Sequence, residues 1–160
     1  MNVTVNVRGL DELIGQLDDY ANSMDDRARE LCSRLASMGA TNVSLGFSRA
    51  IYTGDMDASV SVEEVSPTSY KIVAAGQTVL FAEFGAGVTY GGGHPQAAQF
   101  GFGPGTYPGQ THAMTGNGWY LPKAKGGGHT YGNPPNMPMY NTAQDLKREI
   151  ERVAREVLSA

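Results

Sequence analysis

Few residues in this chain could do chemistry: Glu83, three histidines (His94, His112 and His129) and Cys32. Glu83 lies inside the apolar run VLFAEFGAG, Val79 to Gly87, close to Phe81 and Phe84. A carboxylate in such surroundings can serve as a general acid, or it can be a structural group bonded to backbone amides or to a neighbouring chain. No further carboxylate follows until Asp145, which favours the structural role. Three imidazoles could meet on a zinc ion with an open position. Their spacings match no ligand motif, however, and no Asp or Glu lies near them in sequence to orient the rings. Cys32 falls between Leu31 and Leu35 in a helical pattern, where a small buried thiol is expected rather than a nucleophile. The glycine clusters at 91–93, 101–103 and 126–128 lack the Lys-Ser/Thr ending of a phosphate loop. Lys123 and Lys125 beside Trp119 and Tyr120 make a weak patch for a nucleic-acid backbone. The residues thus predict no catalytic centre, no metal site and no cofactor.

The elements that must position these residues read as follows. Alternating Val3, Val5 and Val7 predict a short N-terminal strand. From Leu10 the period turns helical: Leu10, Leu17, Met24, Leu31 and Met38 recur every seventh residue, with Ile14, Ala21, Ala28 and Leu35 between them. Ser23 and Asp26 have the form of a helix start, so the spacing predicts a break near Asn22 and two consecutive helices. The stripe is rich in Ala and Met and is expected to pack on the protein's own sheet rather than in a coiled coil. Val60 and Val62, then Tyr70, Ile72 and Ala74, alternate on either side of the turn residues 66–69. With Val79–Gly87 as a third strand, these make an antiparallel meander. A terminal helix follows Pro138, with capping-box spacing at Thr142 and Asp145 and a buried stripe at Leu146, Ile150, Val153 and Val157. The fold class is therefore α+β: an antiparallel sheet of about four strands packed against a long N-terminal helical segment and a C-terminal helix.

The 160 residues suffice for one core, so residues 1–160 form a single domain. The formal net charge of -4 argues against a free-standing nucleic-acid binder. It is compatible with a lining past which DNA slides. Between Ile51 and Phe84, Asp55, Asp57, Glu63, Glu64 and Glu83 face only Lys71. That run is either a solvated face or the negative wall of a lumen. From Gly85 to Gln144 there is no Asp or Glu, and Gly, Pro, Tyr and Asn dominate. The stretch 85–137 reads as an extended arm whose aromatic residues, Tyr107, Trp119 and Tyr120 among them, pack on neighbouring subunits. One cysteine excludes an internal disulfide, and the sequence has neither the pattern of a signal peptide nor a run of about 20 apolar residues. The expected setting is the cytoplasm of the producing cell, with no membrane partner.

The order of these signals resembles the tailed-phage (siphophage) family of head-tail joining or tail-completion proteins, also called neck or minor structural proteins. Thr53, Gly54 and Ser59 match the family's entry into the sheet. Phe81, Glu83, Phe84, Gly85 and Gly87 match its Glu-Phe-Gly-x-Gly strand end, with Ala86 where Thr is more typical. Pro138, Met139, Tyr140 and Asn141 match the segment that opens its last helix. The resemblance implies a virion protein made in a bacterial host: a homo-oligomeric ring, sixfold, at the head-proximal end of the tail. Its partners would be the tail tube or terminator and the head connector, with DNA only passing through. Phe81, Glu83, Phe84, Gly85, Gly87, Tyr107, Trp119, Tyr120, Pro135, Pro138, Met139 and Tyr140 are then the expected contact residues. Rival expectations are a tail terminator, a minor capsid or decoration subunit, and, in a different class, a phage-borne hydrolase.

Overall fold

The computed structural model describes residues 9–50, 56–87, 93–100, 116–120 and 127–159. The expected strand at Met1–Val7, together with Thr53, Gly54, Tyr107 and His112, lies outside them. The fold is α+β. Helix α1 (Leu10–Arg49) is followed by the strands β1 (Ser59–Ser66) and β2 (Ser69–Ala75), helix α2 (Val79–Phe84) and a single 3-10 turn at Ala97–Phe100. Two short strands, β3 (Trp119–Tyr120) and β4 (His129–Thr130), precede helix α3 (Pro138–Leu158). Among the described residues the four strands form two separate antiparallel pairs, β1 with β2 and β3 with β4.

Helix α1 runs through Asn22 without the expected break, for 40 residues or about 60 Å. Ser23 does not cap a second helix. Its hydroxyl donates back to the Tyr20 carbonyl at 2.9 Å, a bond a serine makes inside a helix. α3 lies antiparallel along the second half of α1. Pro138 abuts Gly46, Leu146 abuts Gly39, and near the far end the Arg27 guanidinium donates to the Leu158 carbonyl at 2.7 Å. That contact places a cation at the helix C-terminus, where Ser159 also donates to the Arg155 carbonyl. The two glycines are what permit the approach: a Cβ on Gly46 would lie 2.7 Å from that of Pro138, and one on Gly39 2.9 Å from Leu146 Cδ1.

The core sits where α1, the β1–β2 hairpin and α2 meet. Val43, Phe47 and Ala82 are buried at its centre, with Val60, Ile72, Ala74, Val79 and Met139 packed around them. The hairpin turns at 67–68, as its turn residues predict, and pairs Val60 with Ala74 and Val62 with Ile72. Only its base is covered, since Val62 and Val65 near the tip are exposed. On α3, Val153 and Val157 are buried, whereas Ile150, expected in the same stripe, is exposed.

The sequence Val79–Gly87 is not a strand, and the meander ends after β2. Leu, Ala and Glu are good helix formers, and a short run apolar on both faces suits a buried helical turn as well as a buried strand. Tertiary demands decide: as a helix the run buries Ala82, Glu83 and Phe84 together. Gly85, at φ 77°, then turns the chain out of it. The entry to α2 is pinned by Thr78, whose Oγ1 accepts the Asp57 amide at 2.8 Å and donates to the Asp57 carbonyl at 2.7 Å.

Candidate functional site

The Glu83 carboxylate is buried and takes three hydrogen-bonding contacts, and α2 aims it at the first turn of α3. Its Oε2 accepts the Met139 amide and its Oε1 the Tyr140 amide, each at 2.9 Å. Met137, the residue before the helix, has no side-chain cap to offer, and Pro138 has no N–H. Glu83 therefore does from 56 residues away what a local Ser, Thr or Asp usually does for a helix start. Its negative charge also suits the positive end of the helix dipole. The expected capping box is absent: Thr142 lies buried within the helix, and Asp145 pairs with Arg148.

His94 completes the arrangement. Its Nε2 lies 3.0 Å from Glu83 Oε1, and its Nδ1 accepts the Gln96 amide at 3.1 Å. Because Nδ1 accepts, the ring hydrogen sits on Nε2 and points at the carboxylate. The Glu83 and His94 side chains are only 7% and 2% exposed. The imidazole is held between the rings of Phe84 and Tyr140, at centroid distances of 4.5 and 5.2 Å. A buried carboxylate and histidine suggest acid–base chemistry at first sight. Here both ring nitrogens are engaged and all three contacts to the carboxylate come from donors. No nitrogen is left to take a proton from a nucleophile, so the geometry is that of a structural clamp.

The clamp is locked by the segment ahead of α3. Ala86 and Asn133 exchange backbone hydrogen bonds at 2.9 and 3.0 Å. The Asn133 side-chain amide donates to the Phe81 carbonyl at 2.8 Å, and the Asn136 backbone amide donates to that of Ala82 at 2.8 Å. Gly85 and Gly87 let the two segments touch. A Cβ on Gly85 would lie 2.7 Å from the Pro135 nitrogen, and one on Gly87 2.6 Å from the Tyr131 carbonyl and 3.2 Å from the Trp119 ring. No family model, curated protein or solved structure matches the chain.

That geometry gathers most of the expected contact residues into one interior junction. Glu83, Phe84, Gly85, Gly87 and Pro138 are buried, and Phe81, Trp119, Pro135, Met139 and Tyr140 are half-buried around them. Tyr120 alone among those described projects into solvent, and Tyr107 lies outside the described residues. Both ends of the stretch 85–137 thus belong to the core. His129 stands apart from His94, exposed on β4 between the rings of Tyr120 and Tyr131. Among the described residues no three His, Cys, Asp or Glu side chains are grouped to hold a metal. Cys32 is half-buried.

Sequence reasoning missed that His94 is the partner of Glu83, and it gave Asn133 no role. The one available signal was Glu83 itself, a carboxylate in an apolar run that must find buried donors. Beside the clamp, between α2, the 3-10 turn and α3, a groove of about 500 Å³ opens, walled by Val79, Leu80, Phe84, Phe100 and Met139, with Lys147 also lining it.

Proposed function

We propose that this chain is a structural subunit of a tailed-phage virion, forming a ring at the head-proximal end of the tail that joins tail to head connector and leaves a channel for DNA. One observation carries the assembly part of the reading. α3 covers α1 only as far as Arg27, and the apolar stripe of the first turns, Leu10, Leu13, Ile14, Leu17 and Tyr20, is exposed. A contiguous apolar face of this kind on a helix belongs against another chain.

Two further features support the reading. The family-like residues Glu83, Phe84, Gly85, Gly87, Pro138 and Met139 hold the fold together, which fits a family whose shared residues serve a scaffold rather than a reaction. Glu63 and Glu64 are exposed near the hairpin tip, where a negative surface suits a channel that DNA must cross without adhering. Among the described residues no helix is long and apolar enough to cross a membrane.

The test is native mass spectrometry of the purified protein over a range of concentrations, alone and with phage tail tubes. A ring that binds tubes, or a monomer that forms a ring on them, is expected. A protein that neither assembles nor binds tubes would overturn the proposal.

A further inference from the structure

Two exposed apolar features lie far apart on the chain. One is the overhanging stripe of α1, with Leu17 58% and Tyr20 65% exposed. The other is the groove between α2 and α3, where Leu80 is 43% exposed. We propose that they are the two halves of one subunit contact: the first turns of α1 from one copy lie in the α2–α3 groove of the next. This deepens the ring reading and rests on it for closure of the assembly.

Charge selects this occupant over the obvious rival, two α1 helices side by side. From Leu10 to Asp26, α1 carries Asp11, Glu12, Asp18, Asp19, Asp25 and Asp26 and no Lys or Arg. Two such segments in contact repel, as like charges do across any close pairing. At the groove Lys147 offers the opposite sign, and Glu83, which also lines it, is buried and held by His94 and the α3 amides. Lys147 makes no ion pair among the described residues, while Arg148, Arg152 and Arg155 on the same helix all pair with their own carboxylates. Asp11, Glu12, Asp18 and Asp19 likewise make none. An apolar stripe flanked by unpaired acids fits an apolar groove with an unpaired lysine beside it.

A small-molecule ligand fits the groove less well. Its volume is within the ~300–1,000 Å³ of ligand sites, but those sites have convergent polar groups to fix orientation. Here the two buried polar liners, Glu83 and His94, are already satisfied by each other and by backbone, and the other polar side chains, Gln96, Tyr140, Gln144 and Lys147, line an otherwise apolar wall. The contact is also heterologous, because the stripe and the groove are different surfaces. Each copy presents one of each, and such contacts close into rings or run on as filaments.

Two variants test it. Leu13→Asp with Leu17→Asp spoils the stripe, and Leu80→Asp with Lys147→Glu spoils the groove. All four positions are exposed, so circular dichroism should match the parent. Each variant alone is expected to be monomeric by native mass spectrometry, with and without tail tubes. An equimolar mixture is expected to give a dimer of one copy of each, because one intact stripe meets one intact groove. Lys147→Glu alone should weaken self-association about tenfold, with the effect shrinking as salt rises. Groove variants that assemble like the parent would overturn this contact while leaving the ring reading standing. A parent chain that is monomeric under every condition would overturn the contact as well. The contact forming as described in an oligomer that ignores tail tubes would instead sink the head-tail reading alone.

Discussion

Glu83 and Met139 are joined by a 2.9 Å hydrogen bond from a helix amide to a carboxylate on another helix, and Tyr140 makes the same bond to the other oxygen. Removing the carboxylate leaves two amide donors and the His94 N–H without an acceptor in a buried place. Glu83→Ala should therefore cost about 3–5 kcal/mol, near the range for breaking a buried charged network. Glu83→Gln keeps the volume but turns an NH2 group toward donors, and should cost about 1.5–3 kcal/mol. Urea unfolding gives both values. A Glu83→Ala midpoint equal to that of the parent would show that the clamp is not what fixes α3.

Glycines on α1 separate helix propensity from packing. Gly15 has open space where a side chain would stand, so Gly15→Ala should stabilise by about 0.5–1 kcal/mol through backbone entropy alone. Gly46→Ala gains the same propensity but drives a methyl to 2.7 Å from Pro138 Cβ. Its net effect should be a loss of about 1–3 kcal/mol, since α3 must shift away. Thermal unfolding of the two variants side by side checks the sign of each. Equal stabilisation by both would mean that α3 does not lie against Gly46.

The same elements differ in how far the sequence made them legible. The helical stripe from Leu10 and the alternation about Pro67 were legible because solvent faces one side of each element, so the period survives in the residue types. The break at Asn22 was misread because Ser23 bonds backward within the helix and imitates a cap. The run Val79–Phe84 was misread because burial on all sides erases the period that tells helix from strand. That Glu83 would bond backbone amides could be argued from its apolar neighbours. Which amides they are depends on a chain return of more than 50 residues that no local pattern encodes, and that His94 shares the carboxylate depends on the fold of the chain over the 11 positions that separate them.

The segment before α3 tests backbone conformation against contact. Gly132 and Gly128 both have φ above 90°, at 95° and 91°. A Cβ at Gly132 would strike the Ala86 carbonyl, whereas one at Gly128 would meet nothing. Gly128→Ala should thus cost only the conformational term, about 1–2 kcal/mol. Gly132→Ala should cost clearly more and should break the Ala86–Asn133 bridge. Hydrogen exchange at the Ala86 and Asn133 amides reads the second effect directly: protection lost in the Gly132 variant and kept in the other.

Met137 is the one non-glycine among the described residues with positive φ, at φ 55° and ψ 43°. That left-handed turn brings the chain into α3 at an angle that presents the Met139 and Tyr140 amides to Glu83, and its carbonyl accepts the Asn141 amide at 2.9 Å. An unbranched residue holds this conformation at a cost of about 1–2 kcal/mol, which the Glu83 bonds offset. Met137→Gly removes the strain but frees the unfolded chain, so it should be neutral within about 0.5 kcal/mol. Met137→Val should lose about 1–2 kcal/mol more, because a β-branched side chain crowds the left-handed region. If strain is what Glu83 offsets, the difference between Val and Gly at 137 should shrink in a Glu83→Gln background, where α3 is no longer held so firmly. A double-mutant cycle by urea unfolding measures that coupling, and a value of zero would separate the turn from the clamp.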